Sequence, residues 1–373
     1  MNFAFTPEHR ELRDSLRRFF ASKSPMAEVR RLADSPDGYD PLVWKQMAQQ
    51  LGLQGLAIPE EYGGSGFTAV EFGIVFEEMG RALHGGPFFA TVGLAAQVLL
   101  ALDDDDAKAR WLPSIADGSL IATLAVTEAG GEWGVQHVRA SATPAGQGWL
   151  VDGTKMFVPD GRIADLLLVA ARVGDELGVF AVDPAQPGVV RTALSGLDLT
   201  RRLARVEFAG ATARRIGPDS GGDAAPALSR ALDMASVALA SEQAGAAERC
   251  LEMAVEYAKT RVQFGRPIGS FQAIKHKCAD MLVEVESAKS AAYYAARSAA
   301  DSAGELPVAA ALANAYCSDA FFRIAAESIQ VHGGVGYTWE HDAHLYLRRA
   351  KSSQLLFGDP AHHRARLADL VGI

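Results

Sequence analysis

The sequence lacks the features that mark several large classes of protein. Apolar residues make up 49% of its 373 residues, yet no run of them is long enough to span a bilayer. Residues 1–18 carry charges at nearly every turn and contain no apolar stretch typical of a secretory signal. We therefore expect neither membrane insertion nor export.

Cysteine and basic residues are scarce as well. The three cysteines, Cys250, Cys278 and Cys317, lie far apart in helical patterns, without the spacing of a disulfide framework or a metal site. This usage predicts a reducing, cytoplasmic environment. Acidic residues outnumber lysine and arginine by 45 to 36, a formal net charge of −9. That balance argues against a general nucleic-acid binder, because such a protein needs a basic face.

What the sequence does contain is a hydrophobic period that changes twice. A chain of 373 residues is too long for one compact core. Residues 1–120 follow a helical period, residues 121–225 hold short β-rich segments, and residues 226–373 return to long alanine-rich helices. The predicted fold class is α+β, with an N-terminal helical domain, a middle β-domain and a C-terminal helical bundle. Residues 217–226 are predicted to link the last two.

Local signals place helices and strands within these regions. Thr6 before Pro7 predicts a capped helix start, and Asp40 before Pro41 predicts another. The acidic run 103–106 is typical of a solvated helix start, since carboxylates suit the positive end of the helix dipole. The predicted strands are Ile121–Val126, Trp149–Val158, Leu166–Val169, Val179–Val182 and Val206–Phe208.

Four ordered segments resemble the acyl-CoA dehydrogenase family. Arg261–Gln272 (RVQFGRPIGSFQ) and Gln330–Tyr337 (QVHGGVGY) resemble its two C-terminal motifs, at a separation that fits the family. Residues 127–128 resemble the start of its flavin loop, and Lys155–Asp165 resembles the strand that follows. The resemblance covers essentially the whole chain. It implies the acyl-CoA dehydrogenase fold, in which a helical domain, a β-domain and a helical bundle hold FAD between subunits.

The resemblance also implies a reaction and its participants. In that family FAD takes a hydride from the β-carbon of an acyl-CoA thioester while a carboxylate removes the α-proton. The electrons then pass to a separate flavoprotein. The residues implied as FAD contacts, which reach the cofactor of a neighbouring subunit, are Arg261, Phe264, Gln272, Gln330, Gly333 and Gly334.

The chemistry of these residue types suits that role. The planar, always-charged guanidinium of Arg261 is suited to the FAD pyrophosphate. Gln272 and Gln330 would form hydrogen bonds with the adenosine half, and Gly333 and Gly334 would let the backbone approach the cofactor. Taken singly, each has a simpler interpretation, since a lone arginine can be a surface residue and a pair of glycines often ends a helix.

The family's catalytic carboxylate is missing. Counting without a gap from the GGVGY motif places the usual glutamate position at Phe357, and the alternative position on the first long C-terminal helix falls at Ala235. Neither side chain can accept a proton. Asp233 lies two residues from Ala235, about 200° around a helix, and would point elsewhere. We therefore predict no catalytic residue in this chain.

The residues that would hold the chain's own flavin are altered as well. Trp133 stands where a serine would touch the FAD phosphate, and Glu132 adds a negative charge that disfavours that anion. Pro159 replaces a threonine near the flavin ring. Arg349 replaces the aspartate of the usual Arg-Asp pair near the end of the chain.

The retained and the altered residues sort into two functional halves. The groups lent to a neighbour's FAD are kept, whereas those that hold the chain's own flavin and remove the proton are lost. This pattern resembles the smaller, base-lacking subunit of α2β2 acyl-CoA dehydrogenases, whose catalytic partner holds flavin, base and substrate. Such enzymes act on sterol side chains and other bulky or dicarboxylic acyl groups. The segment Tyr337–Arg349 resembles what those smaller subunits carry.

Two other interpretations stay open. A self-sufficient homotetramer could use a relocated base, for which Glu128, Asp359 and His362 are the candidates; histidine is a suitable base near neutral pH. The pair His362–His363 is more simply a solvated helix start. A flavin-free structural paralogue would hold no cofactor in any assembly, but the retained Arg261 and Gln330 motifs argue against it.

A group of arginines in the β-domain forms a separate candidate site. Together they could attract a CoA phosphate, or they could form a solvated face of the domain, and the sequence does not give their positions. They are Arg191, Arg201, Arg202, Arg205, Arg214 and Arg215.

Overall fold

A computed structural model of the chain describes residues 5–217, 221–301 and 304–373. Within these ranges no helix combines the length and the apolar character needed to cross a bilayer. The class of element changes between residues 116 and 122 and again between 216 and 225. The domain limits at residues 121 and 226 stay predictions.

The N-terminal part is helical, and its predicted helix starts are confirmed. Thr6 forms a capping box with His9, Asp40 accepts hydrogen bonds from the N–H groups of two first-turn residues, and Asp104 accepts one from Ala107. A π-helical segment, Phe89–Ala95, precedes α5 directly. The helices are α1 (Pro7–Lys23), α2 (Met26–Ala33), α3 (Pro41–Gln49), α4 (Ala69–Arg81), α5 (Ala96–Ala101) and α6 (Asp105–Ala116).

The middle part is a small barrel. Its strands are β1 (Ala122–Ala125), β2 (Ser141–Ala145), β3 (Gly148–Pro159), β4 (Leu166–Val173), β5 (Glu176–Val182), β6 (Val189–Ala193) and β7 (Leu203–Ile216). Strands β4, β5, β7, β3 and β2 pair in a closed circuit, with β1 beside β4 and β6 beside β7. Strands β2 and β6 were not predicted from the sequence, because most of their residues are exposed and show no alternation of apolar and polar residues.

Long helices form the C-terminal part, as predicted. They are α7 (Ala225–Thr260), α8 (Gln272–Asp301), α9 (Leu306–His332), α10 (Ala343–Gln354) and α11 (Pro360–Val371). A hairpin of two short strands, β8 (Val262–Gln263) and β9 (Arg266–Pro267), separates α7 from α8. Residues 218–220 of the predicted linker lie outside the described residues. Its last two residues belong to α7, because proline is accepted in a first helical turn.

Helices α4 and α7 cross at very short distance through two glycines. A Cβ added at Gly80 would overlap the carbonyl oxygen of Glu242, and one added at Gly245 would overlap that of Glu77. The two backbones therefore touch where any side chain would separate them. This crossing docks the N-terminal helices on the C-terminal bundle.

Beside that crossing lies a buried network of charges. The Arg349 side chain of α10 donates to Asp198 (Nε–Oδ2 2.9 Å), to Glu242 of α7 (Nη1–Oε1 2.7 Å) and to the carbonyl oxygen of Thr200 (Nη2–O 2.9 Å). Arg201 donates to the same Glu242 oxygen at 2.6 Å. Because Asp198, Thr200 and Arg201 lie between β6 and β7, the network ties the barrel to the bundle.

Asp160 lies fully buried near these arginines. Burial raises the pKa of Asp160 to about 7, although the charges of Arg201, Arg349 and Arg202 act in the opposite direction. Its backbone φ of +49° lies in the left-handed region, which aspartate and asparagine tolerate better than most residues.

Replacing Gly245 with alanine tests the close crossing. We expect Gly245→Ala to lower the melting temperature, since overpacking of a core typically costs about 1–3 kcal/mol. Gly73→Ala in α4 is the matched control, because its Cβ would meet only side-chain atoms, Ser241 Oγ at 3.2 Å and Ala296 Cβ at 3.4 Å. Equal melting temperatures for the two variants would contradict the crossing.

Replacing Asp160 with asparagine tests the buried carboxyl. The folded pKa of about 7 exceeds the ordinary value of 3.8, so the folded state holds a proton that the unfolded state has released. The free energy of unfolding therefore falls as the pH rises from about 4 to about 7. Asp160→Asn removes this loss, and we expect it to raise the melting temperature more at about pH 8 than at about pH 5.

An exposed turn residue, Asp175, provides the control for this measurement. Asp175→Asn should leave the pH dependence of the melting temperature unchanged. If Asp160→Asn showed the same pH profile as the unaltered chain, the carboxyl would not be protonated in the folded state.

Candidate functional site

The position predicted for the family's catalytic glutamate is occupied by an aromatic stack. Phe357, between α10 and α11, packs nearly parallel to Phe89 of the π-helical segment, with ring centroids 6.2 Å apart. Its φ of +60° is a genuine departure for a bulky side chain. The position is apolar and half-buried, and nothing in this pair can take a proton.

The alternative base position is equally inert. Ala235 is fully buried within α7. Asp233 points away from it, as the helical geometry predicts, and forms an ion pair with Arg366 of α11. Burial raises the pKa of Asp233, and Arg366 opposes that effect. This carboxylate joins two helices of the bundle.

A cleft of about 280 Å³ lies between the flavin-loop segment and the C-terminal helices. It is smaller than most ligand pockets, which occupy roughly 300–1,000 Å³. Trp133 and Glu132 both line it, and Glu132 lies 3.5 Å from His137 and 3.4 Å from Arg139. Phe357 and Leu232 close its inner side. The remaining lining residues are Val126, Thr127, Glu128, Ala129, Gly130, Gly134, His137, Val138, Arg139 and Thr154.

Glu128 lines this cleft but is already engaged. Its Oε1 accepts hydrogen bonds from Lys155 Nζ at 2.7 Å and from the backbone N–H groups of Arg139 at 3.0 Å and Ala140 at 2.9 Å. Burial acts to raise the pKa of Glu128, but Lys155 and the hydrogen bonds hold it below its usual value. A carboxylate held in this way is a weak base. Glu128 fixes both ends of the loop between residues 128 and 140.

The other relocated-base candidates lie at the start of α11. Asp359 caps that helix by accepting from the backbone N–H of His362 at 2.8 Å. Burial lowers the pKa of His362, and it lowers that of His363 to about 4. Neither Asp359 nor His362 is among the residues that line the cleft.

The first group of predicted FAD contacts lies on the β8–β9 hairpin and the start of α8. Arg261 is the C-cap of α7, and its guanidinium is exposed, with no ion pair or hydrogen bond to the residues that the structure describes. Phe264 projects from the hairpin tip, 90% exposed, with a φ of +53°. Phe271 supports it edge-on at 6.1 Å, and Arg266 covers the Phe271 ring at 4.2 Å.

The second group lies at the end of α9, where Gln330 is exposed. Gly333 ends the helix with φ +64° and ψ −143°, a conformation largely confined to glycine. A Cβ at Gly333 or at Gly334 would meet nothing within 4 Å, so the backbone there is open to a ligand.

Two contacts bring the groups to the same end of the bundle. The His332 ring lies 4.6 Å from that of Tyr257, one turn before Arg261. Lys277, five residues after Gln272, forms an ion pair with Glu327, three residues before Gln330.

The residues present therefore fit FAD on one face only. The exposed end of the bundle offers a free guanidinium, amide side chains and open glycine backbone, which suit the pyrophosphate and adenosine of the cofactor. The cleft offers Glu132 and Trp133 at the place expected for a phosphate and a closed aromatic wall beyond it. The cleft does not fit FAD.

The arginines of the β-domain do not form one phosphate-binding patch. Arg201 is buried against Glu242, and Arg202 donates to the carbonyl oxygens of Ala33 and Ser35, each at 2.6 Å. Arg191 likewise donates to backbone carbonyls of the barrel. The others lie against side chains: Arg205 pairs with Glu207, Arg214 covers Trp111, and Arg215 lies near Glu176 and Trp149. These contacts correct both the phosphate-site and the solvated-face interpretations, because most of these guanidinium groups link elements of the chain.

Two features of the site were not predicted from the sequence. Arg349 is paired with Asp198, so the substitution of the family's aspartate by arginine is compensated across 151 positions. The only sequence feature that could have indicated the Arg349 ion pair was an arginine at a position where the resemblance expects an aspartate. No sequence feature indicated the role of Phe89, because it lies in an apolar helical run.

Family models match both helical parts of the chain. The model described as acyl-CoA dehydrogenase, N-terminal domain, matches residues 6–119, and that described as acyl-CoA dehydrogenase, C-terminal domain, matches residues 225–371. Acyl-CoA dehydrogenase IpdE2 of Mycobacterium tuberculosis is 37% identical over 366 residues, which cover 98% of each chain.

Solved structures agree in fold. A chain of the Tcur3481–Tcur3483 steroid ACAD has a TM-score of 0.89 and 30% identity, with 98% of both chains covered. A chain of the ChsE4–ChsE5 complex from Mycobacterium tuberculosis has a TM-score of 0.90 and 29% identity, and the match covers 100% of this chain and 99% of that one. The predicted α+β fold of two helical parts around a β-domain is confirmed. The chain belongs to the acyl-CoA dehydrogenase family of oxidoreductases, whose members bind FAD.

Proposed function

We propose that this chain is the cofactor-completing subunit of a heteromeric acyl-CoA dehydrogenase. A catalytic partner subunit of the same family supplies the flavin pocket, the base and the acyl site. The assembly performs α,β-dehydrogenation of an acyl-CoA thioester and passes the electrons to a separate flavoprotein.

One contrast within the chain carries this proposal. The base position is an apolar stack of Phe357 on Phe89, and the neighbouring cleft is lined by Trp133 and Glu132. At the end of the bundle, by contrast, the Arg261 guanidinium is exposed and has no partner among the described residues, and the Gly333 backbone is open on its outer side. A chain built to hold its own flavin would need the first half, whereas a chain that serves a neighbour's flavin needs only the second.

The relatives favour unlike subunits and a bulky substrate. Two similar structures bear names of paired chains, Tcur3481–Tcur3483 and the ChsE4–ChsE5 complex, and the first is called a steroid ACAD. We extend this to a steroid or similarly bulky acyl group as the substrate class.

The chain's own residues would act by binding and orientation. FAD, when bound, supplies the hydride acceptor. Arg261 would place a fixed donor fork against the pyrophosphate, and Gln272 and Gln330 would hold the adenosine half through their amides. The exposed ring of Phe264 would pack on the cofactor at the subunit boundary, where an aromatic side chain contributes large contact area.

Co-expression tests the proposal. The chain alone is expected to purify without flavin, and with an acyl-CoA dehydrogenase encoded by a neighbouring gene it is expected to give one FAD per pair of unlike subunits. Visible absorbance and molar mass in solution measure both quantities. One FAD per chain in a homotetramer would instead support a self-sufficient enzyme, and flavin-free assemblies of every kind would support a structural paralogue.

Within that complex, Arg261→Ala should weaken FAD retention. The lost charge-assisted hydrogen bonds are worth about 1.5–3 kcal/mol, which corresponds to about a tenfold to hundredfold rise in the Kd of FAD. Arg18→Ala, which removes an exposed arginine of α1, is the control and should leave the Kd unchanged. Unchanged retention in Arg261→Ala would remove Arg261 from the site.

Restoring a carboxylate at the vacant position should create no second active site. We expect Phe357→Glu to give no acyl-CoA-dependent reduction of an electron acceptor in the lone chain and no gain in the complex, because the cleft still lacks a flavin site. Phe357→Leu keeps an apolar side chain and shows the effect of altered packing alone. Dehydrogenation by the lone Phe357→Glu chain, absent from Phe357→Leu, would contradict the proposal.

A further inference from the structure

A column of rings in tilted contact adjoins the turn that carries Gly333 and Gly334. Tyr257 of α7, His332 at the end of α9 and His341 in the loop before α10 follow one another, with ring centroids 4.6 Å and 4.2 Å apart. His332 is buried and is the last residue before the diglycine. The column therefore connects the last turns of α7 and α9 to the loop that follows the turn.

One hydrogen bond of the column requires a neutral imidazole, and it is made by His341. His332 Nδ1 lies 2.6 Å from the carbonyl oxygen of Ser328, which can only accept, so this nitrogen carries the proton. His341 Nδ1 accepts from the backbone N–H of Ala343 at 3.1 Å, so this nitrogen carries none. Protonation of His341 would turn its acceptor into a second donor and break that bond.

The loop beyond the turn is held from its other side by a clamp on Trp339. Arg30 of α2 donates to the Trp339 carbonyl oxygen at 2.6 Å and to Asp342 at 2.8 Å. The Trp339 indole lies edge-on to His344 at 4.9 Å, and the guanidinium of Arg348 covers it at 4.7 Å. Residues 337–342 are thus fixed between α2 and α10.

The surroundings of His341 oppose its protonation. Burial lowers the pKa of His332, His341 and His344, although hydrogen bonds to the backbone of Ser328 and Met253 act to raise that of His332. His332, His344 and Arg30 lower the pKa of His341 further, and Asp342 acts to raise it. The other charged groups near this loop are Arg348 of α10, which also lowers the pKa of His344, and the exposed Glu340. Tyr257 presents an uncharged ring from α7.

The turn itself is a short 3-10 helix, Gly333–Tyr337, and the Gly333 N–H donates to the carbonyl oxygens of Ile329 and Gln330 at the end of α9. After it, Thr338 N–H donates to Val335 O at 3.0 Å and His341 N–H donates to Thr338 O at 3.3 Å. Gly333 and Gly334 meet nothing on their open side. Their position therefore depends on the end of α9, on the column behind them and on the clamp.

We propose that His332 and a neutral His341 are positioning residues that preorganise the Gly333–Tyr337 turn for a partner's FAD, and that acid releases the turn by protonating His341. The inference rests on the proposed function. It adds a pH-dependent device to the cofactor-completing face, made by residues that do not themselves contact the cofactor.

The test uses the complex of this chain with its catalytic partner and two non-titrating variants. His341→Phe keeps the ring and His341→Asn keeps an acceptor near the Nδ1 position. In the unaltered complex, FAD retention is expected to fall as the pH is lowered. Below the pKa of His341 the fall is expected to be at most about tenfold per pH unit, because only one proton is coupled to binding. In both variants the fall over the same range is expected to be less than about threefold. His137→Phe, which removes a half-exposed imidazole of the cleft, is the control and should keep the full acid loss.

Hydrogen exchange separates this inference from the proposed function. Amide exchange of residues 333–342 in the unaltered chain, corrected for the intrinsic effect of pH, is expected to accelerate in acid, and the acceleration is expected to be absent from His341→Phe. The same exchange profile in both proteins would overturn the positioning role, even if the complex binds FAD and depends on Arg261. If the complex held no FAD while exchange still followed His341, the proposed function would fall and the inference about the turn would stand.

Discussion

A guanidinium group without access to water must be surrounded by anions and carbonyl oxygens. The three parts of this chain meet around such a group, that of Arg349. Arg349 is 3% exposed and is joined to Asp198 and Glu242. Removing one member of such a buried set leaves an uncompensated charge, which typically costs 3–5 kcal/mol. The backbone of Glu242 also touches Gly80 at the crossing of α4 and α7. Glu242 therefore fixes where the barrel, the N-terminal helices and the bundle meet. The positions of both halves of the site follow from that junction.

From that junction the two halves of the site diverge in character. The inner half lies among apolar elements, where Phe357 packs on Phe89 and stabilises the interior. The outer half lies at the exposed end of the bundle, where Arg261 has no partner within the described chain. Exposed, unengaged polar groups contribute little to the stability of the chain that carries them. We propose that a ligand or a neighbouring subunit engages them.

Backbone strain marks both halves. Among the residues that the structure describes, three phenylalanines have positive φ, namely Phe157 at +55°, Phe264 at +53° and Phe357 at +60°. Such conformations cost about 1–3 kcal/mol each and tend to persist at functional sites. Phe157 follows Lys155 and Met156 in the strand beside the flavin loop, Phe264 projects from the hairpin tip, and Phe357 fills the base position.

The sequence alone determined the order of helical and β regions, the helix caps at Thr6 and Asp40, and the absence of a carboxylate at positions 235 and 357, because these depend on local period, capping chemistry and motif spacing. It did not give strands β2 and β6, whose exposed residues carry no apolar alternation. Only the tertiary structure decided that Arg349 is compensated by Asp198, that Phe357 is covered by Phe89, and that the His332 ring lies between those of Tyr257 and His341. Each of these depends on residues far apart in sequence, and a charge or a ring acquires its role only from the groups that folding places against it.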